Sequence, residues 1–212
     1  MRAGGTLAQG LATLGVPLEA SQRERLMQYV GLLEKWNKIY NLTAVRGANN
    51  IVIHHLLDSL AVLPHIAGRT ILDVGSGAGL PGIPLAVACP RSSVTLLDAN
   101  QKKAAFLRQA VIELELHNAE VVCARVEAWR PPAPFDVVIS RAFSDLRKFL
   151  ELASRLCGPR GIMAAMRGTY SKTELDALPP EFSLKRVAPL TVPGLNAARH
   201  LIMLERAGGA PT

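Results

Sequence analysis

Cysteine is scarce: Cys89, Cys123 and Cys157 are the three in a chain of 212 residues. They stand far apart, with no C-x-x-C and no nearby histidine pair, which excludes a disulfide framework and a zinc cluster. They read as small apolar residues of a reducing compartment. No apolar run is long enough to span a bilayer. The opening MRAGGTLAQGLATLG carries an early arginine but lacks the continuous apolar core and cleavage pattern of a secretory leader. The expected location is therefore cytoplasmic, without a membrane partner. Acidic residues are also in deficit, 17 Asp and Glu against 24 Lys and Arg, for a net charge of +7. That excess permits a polyanionic partner, because Lys and Arg neutralise phosphates and release counterions, and equally suits an ordinary basic chain. What is abundant is apolar material, 49% of residues, enough for a sizeable core and too much for global disorder.

The first sixty-odd residues read as helical. Leu26, Tyr29, Val30, Leu33, Trp36 and Tyr40 recur at helical spacing between Ser21 and Tyr40, and Ser21 with Glu24 forms a candidate capping box. A second helix is expected from Asn49 or Asn50 to Val62, stopped by Pro64. After Gly68 the rhythm changes. TILDVG, SVTLLDA, EVVCAR, FDVVISR and GIMAAMR are short β-branched runs, of the near-continuous apolar kind found in a parallel sheet covered on both faces. Helical segments lie between them, clearest from Gln101 to Leu116, and this alternation means βαβ units in a doubly wound α/β sheet. FSLKRVAPLTVP and ARHLIMLER follow with no helix between, as an antiparallel pair at the sheet edge. The expected organisation is a helical extension over 1–68, a Rossmann-like domain over 69–206 and a flexible tail over 207–212, in one structural unit.

LDVGSGAGLPGIPLA fits two glycine templates. Gly75, Gly77 and Gly79 form G-x-G-x-G, while Gly77, Gly79 and Gly82 form the G-x-G-x-x-G of dinucleotide-binding folds. Such a loop brings backbone close to a ligand and turns helix N–H groups towards it. Pro81 and Pro84 fall in the first turn of the following helix, where a missing N–H costs little. Asp73 decides between the registers. A carboxylate at this turn repels a pyrophosphate but suits S-adenosylmethionine, which presents a sulfonium and an α-ammonium group. The D-x-G-x-G-x-G register is the signature of Rossmann-like methyltransferases. Asp98, at the end of the second strand, fits ribose hydroxyls under either reading.

Two further strand ends carry candidates. VEAW follows the third strand, where the backbone of Val126 and Glu127 is placed to read an adenine edge, or is a plain surface loop. SRAF closes the fourth strand at the carboxyl edge where open α/β sheets bind ligands, and Arg141 there suits a carboxylate or phosphate better than packing.

The phrases EKWNKIYNLTAV, HHLLDSLAVL, LDVGSGAGLPGIPLA, LLDANQKKAAFL, FDVVISRAF and AAMRG occur in this order between about Ser21 and Arg206. Together they resemble the bacterial small-subunit ribosomal RNA guanine-N7 methyltransferases, the glucose-inhibited division protein B family. The resemblance implies a Rossmann-like class I methyltransferase with an N-terminal helical extension. It would move a methyl group from S-adenosylmethionine to N7 of one guanine in small-subunit (16S) rRNA, free or within the small ribosomal subunit. By matching motif, cofactor contacts come from Gly75, Leu80, Val126, Glu127 and Arg141; Asp73, Gly77, Gly79 and Asp98 join them on the physical argument. The family's usual A-x-K-G reads A-M-R-G here, so Arg167 offers a planar fork in place of a compact ammonium.

Guanine N7 bears a lone pair and no proton, so the reaction needs no acid or base residue, and none stands out. Arg141, Phe143 and Arg167 are the candidates bordering the guanine, Phe143 either stacking on the base or packing in the core. Lys102 and Lys103 read as a solvated face or a basic rim. Trp36, Asn37, Asn41 and Thr43 either shape the cofactor mouth or pack the extension, and His54 and His55 read as structural. No metal is expected, and a monomer is the default. The competing readings are a methyltransferase of small molecules, a nicotinamide-dependent oxidoreductase on Gly77, Gly79 and Gly82, and an RNA-binding module without catalysis.

Overall fold

The computed structural model describes residues 2–141, 143 and 145–207. Ala142 of the SRAF phrase and residues 208–212 of the expected tail lie outside the described residues. Ala207 itself still pairs, donating its N–H to Glu181 O at 2.8 Å.

Ahead of the first strand come α1 (Ala3–Leu14), α2 (Ala20–Tyr40), α3 (Ala48–Ile51) and α4 (Asp58–Leu60), the last two joined by a π-helical turn, Val52–Leu57. The capping box of α2 is formed by Glu19 and Gln22 in place of Ser21 and Glu24, with Gln22 Oε1 accepting from Glu19 N–H at 2.8 Å. The reason is tertiary. Gln22 Nε2 also donates to Val87 O at 2.7 Å, and an amide accepts and donates at once where a carboxylate only accepts.

Seven strands follow: β1 (Thr70–Val74), β2 (Ser93–Asp98), β3 (Ala119–Cys123), β4 (Phe135–Ser140), β5 (Cys157–Arg167), β6 (Phe182–Pro189) and β7 (His200–Arg206). They form one sheet in the order β3-β2-β1-β4-β5-β7-β6. The first five run parallel, and β7 lies antiparallel between β5 and β6. The sheet is the doubly wound, mostly parallel one that the strand pattern implies, with its antiparallel edge.

Alternate side chains enter two cores. Ile71 joins α5 (Gly82–Ala88), α6 (Gln101–Glu113) and the N-terminal helices on one face, while Leu72 and Val74 join α7 (Leu146–Ala153) on the other. A short α8 (Lys172–Asp176) precedes β6. Leu26, Tyr29 and Leu33 of α2 share the first core with Phe106 and Leu107 of α6, all fully buried. Each such side chain contributes about 1.5–3 kcal/mol, so the extension is bonded to the sheet by apolar burial. The strand order reverses between β1 and β4, which opens a crevice at their carboxyl ends. Ser140 Oγ donates to Val74 O across those ends at 2.6 Å.

Candidate active site

The loop from Gly75 to Pro81 crosses the crevice. Gly75, Gly77 and Gly79 have φ of 72°, 59° and 88°, the left-handed region that a side chain resists. Gly82 has another job: a Cβ there would lie 2.1 Å from Leu96 Cδ2 and 2.7 Å from Asp73 Oδ2. Both glycine registers are thus used, the first for the turn and the last glycine for close helix–strand packing. Pro81 is the N-cap of α5, one position ahead of the expected first turn, and Pro84 lies inside it. Leu80 is buried in the first core.

Two carboxylates and a phenol brace this loop. Asp73 Oδ2 accepts from Gly82 N–H at 2.9 Å, and Asp98 accepts from Gly77 N–H and Asn100 N–H, each at 2.8 Å. Tyr29, from α2, donates its buried hydroxyl to Ala78 O at 2.5 Å, and burial pushes that phenol far above its ordinary range. Asp73 is fully buried beneath the loop. Burial raises its carboxyl to about 7, against the opposing pull of the Gly82 N–H. Its Oδ1 has no hydrogen-bond partner among the described residues. An under-compensated anion below a glycine loop fits a cofactor that brings positive charge, such as S-adenosylmethionine, and disfavours a pyrophosphate.

The sequence candidates after β3 form the loop beyond it. Val126 is half-buried against the second core and Glu127 is exposed. Their carbonyls are gathered by arginines: Arg155 donates to Val126 O and Trp129 O, and Arg130 to Glu127 O. Phe143 packs its ring on Phe149, 5.2 Å between centroids, in the second core.

Arg141 and Arg167 come together on one wall. A cavity of about 370 Å³ is lined by Val45, His54, His55, Asp58, Arg141, Met166, Arg167, Gly168 and Arg199. Arg141 donates to Asp58 Oδ2 at 3.2 Å, and Arg199 Nε to Asp58 Oδ1 at 3.1 Å. Arg167 forks onto both carboxylate oxygens of Glu174, at 3.0 and 3.4 Å, and Glu174 also accepts from Leu146 N–H. Asp58 and Arg199 are absent from the sequence-derived candidates. One signal was present: Asp58 stands in the apolar stretch HLLDSLAV, and a carboxylate buried there needs a cation that no sequence neighbour supplies. Arg199, 141 residues away, offered no local signal.

The NLTA stretch is tied within the extension to the helix end and to the turn that bears His55. Asn37 accepts from Thr43 N–H at 3.0 Å. His55 contacts His54 O through Nδ1 at 2.9 Å and Thr43 Oγ1 through Nε2 at 2.7 Å. A carbonyl only accepts, so Nδ1 carries the proton and Nε2 accepts from the threonine. Burial and the Arg141 charge lower His55 to about 4, so it is neutral and fully engaged. Trp36 packs edge-on against Phe106, 5.5 Å between centroids. Asn41, left-handed at φ 48°, caps the end of α2 and accepts from Arg46. Lys102 is exposed and Lys103 half-buried on the first turn of α6, whose cap is Asn100. Among the described residues no group of His, Cys, Asp and Glu is placed to hold a metal ion, and no helix is long and apolar enough to cross a membrane.

The family model for rRNA small subunit methyltransferase G (GidB) matches residues 22–202. The ribosomal RNA small subunit methyltransferase G of Laribacter hongkongensis is 54% identical over 198 residues, 93% of this chain and 96% of its own. That of Aromatoleum aromaticum is 55% identical over 206 residues, 95% and 98% of the two chains. Among solved structures, TrmN from Thermus thermophilus reaches a TM-score of 0.55 at 23% identity, over 81% of this chain and 53% of that one. A SAM-dependent methyltransferase from Aquifex aeolicus reaches 0.55 at 22% identity, over 70% and 90%. These two establish the shared Rossmann-like methyltransferase fold.

Proposed function

As the chain belongs to the rRNA small subunit methyltransferase G (GidB) family and is an S-adenosylmethionine-dependent methyltransferase, we propose that it methylates N7 of one guanine in small-subunit (16S) ribosomal RNA. It acts as a monomer in the cytoplasm, where that RNA is assembled into subunits. The observation that carries the reading is the arginine-lined cavity at the carboxyl ends of β4 and β5. A basic wall suits the phosphates of an RNA strand, and a small neutral substrate would have no use for it.

S-adenosylmethionine, when bound, supplies an activated methyl group on a sulfonium. Gly75, Gly77, Gly79 and Leu80 form its loop, with Asp98 at the ribose, Val126 and Glu127 at the adenine, and Arg141 at the carboxylate. Asp73 supports it from below. Guanine N7 has no proton to remove, so the chain need supply no general base, and the neutral, doubly bonded His55 is consistent with that. The protein's work is orientation, exclusion of water and a fixed field. Arg141, Arg167 and Phe143 border the guanine. None of the forks takes the usual bidentate position on O6 and N7, because the nucleophile must stay open.

Purified protein is incubated with methyl-labelled S-adenosylmethionine and, separately, intact small subunits, deproteinised small-subunit rRNA and large-subunit rRNA. Cleavage specific for N7-methylguanine then maps the label. The expected result is label at a single guanine in small-subunit material alone. No label on any RNA, with cofactor binding intact, would overturn the rRNA assignment in favour of a small-molecule substrate.

A further inference from the structure

Asp58 is sealed from solvent, with 2% of its side chain exposed, yet each of its oxygens holds a different arginine that is exposed to the cavity by more than a quarter. Here the anion stands behind the wall and the cations stand on it. Arg141 follows β4 and Arg199 precedes β7, so the two come from opposite sides of β5, which delivers Arg167 to the same cavity. Asp58 itself comes from the N-terminal extension. The π-helical turn Val52–Leu57 sets it at the start of α4 and also turns His54 O towards Arg141, at 3.4 Å.

We propose that Asp58 is a positioning residue of the methyl-transfer site: it fixes Arg141 for the cofactor and Arg199 for an anionic group of the RNA. The proposal rests on the methyltransferase reading above. Each arginine uses one nitrogen of its guanidinium on Asp58 and also meets a backbone carbonyl, His54 O for Arg141 and Ala198 O for Arg199, so Asp58 is the one charged anchor that the two share. Without Asp58 each keeps only its carbonyl contact and regains part of its rotamer freedom, and that ordering falls on the ligand instead. This gives the extension a role in the chemistry as well as in the core.

A double-mutant cycle on the full chain tests it, with two readouts. One is the dissociation constant of S-adenosylhomocysteine by calorimetry; the other is KM and kcat for methyl transfer to small-subunit RNA. Asp58→Asn is expected to raise both the dissociation constant and the KM for RNA on the order of tenfold. kcat per cofactor-binding molecule should change by less than about threefold. In an Arg199→Ala background the substitution should add nothing to KM, and in an Arg141→Ala background nothing to the dissociation constant. Unchanged constants in folded Asp58→Asn, or effects that add in full to those of the arginine variants, would overturn the proposal. If Asp58→Asn does not fold, Asp58→Glu carries the same cycle, since it keeps the charge and misplaces it by one methylene. A wild-type protein that methylates no RNA defeats the RNA assignment, while the dissociation constant still decides the role of Asp58 through Arg141.

Discussion

Burial holds the Asp73 carboxyl at about 7, so near neutral pH roughly half of the cofactor-free molecules carry a proton beneath the glycine loop. A cofactor that sets a sulfonium and an α-ammonium above that loop favours the ionised form. A unit charge about 6 Å away, at an effective dielectric constant of about 20, interacts by roughly 3 kcal/mol, or about two pKa units. Binding therefore expels a proton over the intervening range. The dissociation constant of S-adenosylmethionine should fall as pH rises, being about fivefold weaker at pH 6 than at pH 7 and flattening above. Stability of the cofactor-free protein follows the opposite course. The folded carboxyl sits above its ordinary value, so its contribution is full below the ordinary carboxylate range and is lost as pH rises through about 7. Calorimetry between pH 5.5 and 7, in two buffers of different ionisation enthalpy, reads both affinity and proton release. That window stays below the α-amino range of about 7.7–8.0, and His55, lowered to about 4, is silent in it. S-adenosylhomocysteine, without the sulfonium, should show a shallower slope, and Asp73→Asn none. A flat wild-type profile with no proton released, or a slope that survives in Asp73→Asn, would refute the reasoning.

Gly82→Ala is expected to lower stability by about 1–3 kcal/mol, because the new Cβ meets Leu96 and Asp73; a thermal midpoint within a degree of wild type would count against it. Gly77→Ala meets only Gly75 O at 3.8 Å, but at φ 59° its side chain is strained, so it should cost about 1 kcal/mol of stability. S-adenosylhomocysteine should also bind more weakly, and unchanged affinity in the folded variant would remove Gly77 from the cofactor loop. Tyr29→Phe leaves Ala78 O without its donor and should cost about 1–3 kcal/mol, lowering the midpoint by about 2–4 °C per kcal/mol. Arg167→Lys keeps the ion pair with Glu174 but loses the fork, for a loss of about 1 kcal/mol or less and methyl transfer within a few-fold. A drop well beyond tenfold would mean that the fork itself acts on the RNA.

Partners that come from distant segments leave no local trace in the sequence. A capping box is a local pattern, and Ser21 with Glu24 satisfied it; Gln22 won because its amide also reaches Val87, which no window around α2 contains. Asp58 looked like part of an apolar helix for the same reason. Phe143 was left open between stacking and packing, and the ring of Phe149 beside it shows the packing contact. Asn37 and Thr43 bond to one another, and Thr43 to His55, contacts internal to the extension that no motif in the sequence announces.

By itself the sequence determined the class of fold, the parallel sheet with its antiparallel edge, the glycine turn and the acid ahead of it. Those features rest on interactions between near neighbours: strand periodicity, turn conformation, and the order of strands and helices along the chain. Tertiary structure alone decided how the extension joins the site, through Tyr29 on the loop and Asp58 between two arginines. Such pairs join residues dozens of positions apart, and their strength comes from a buried geometry that exists only after the chain has closed on itself.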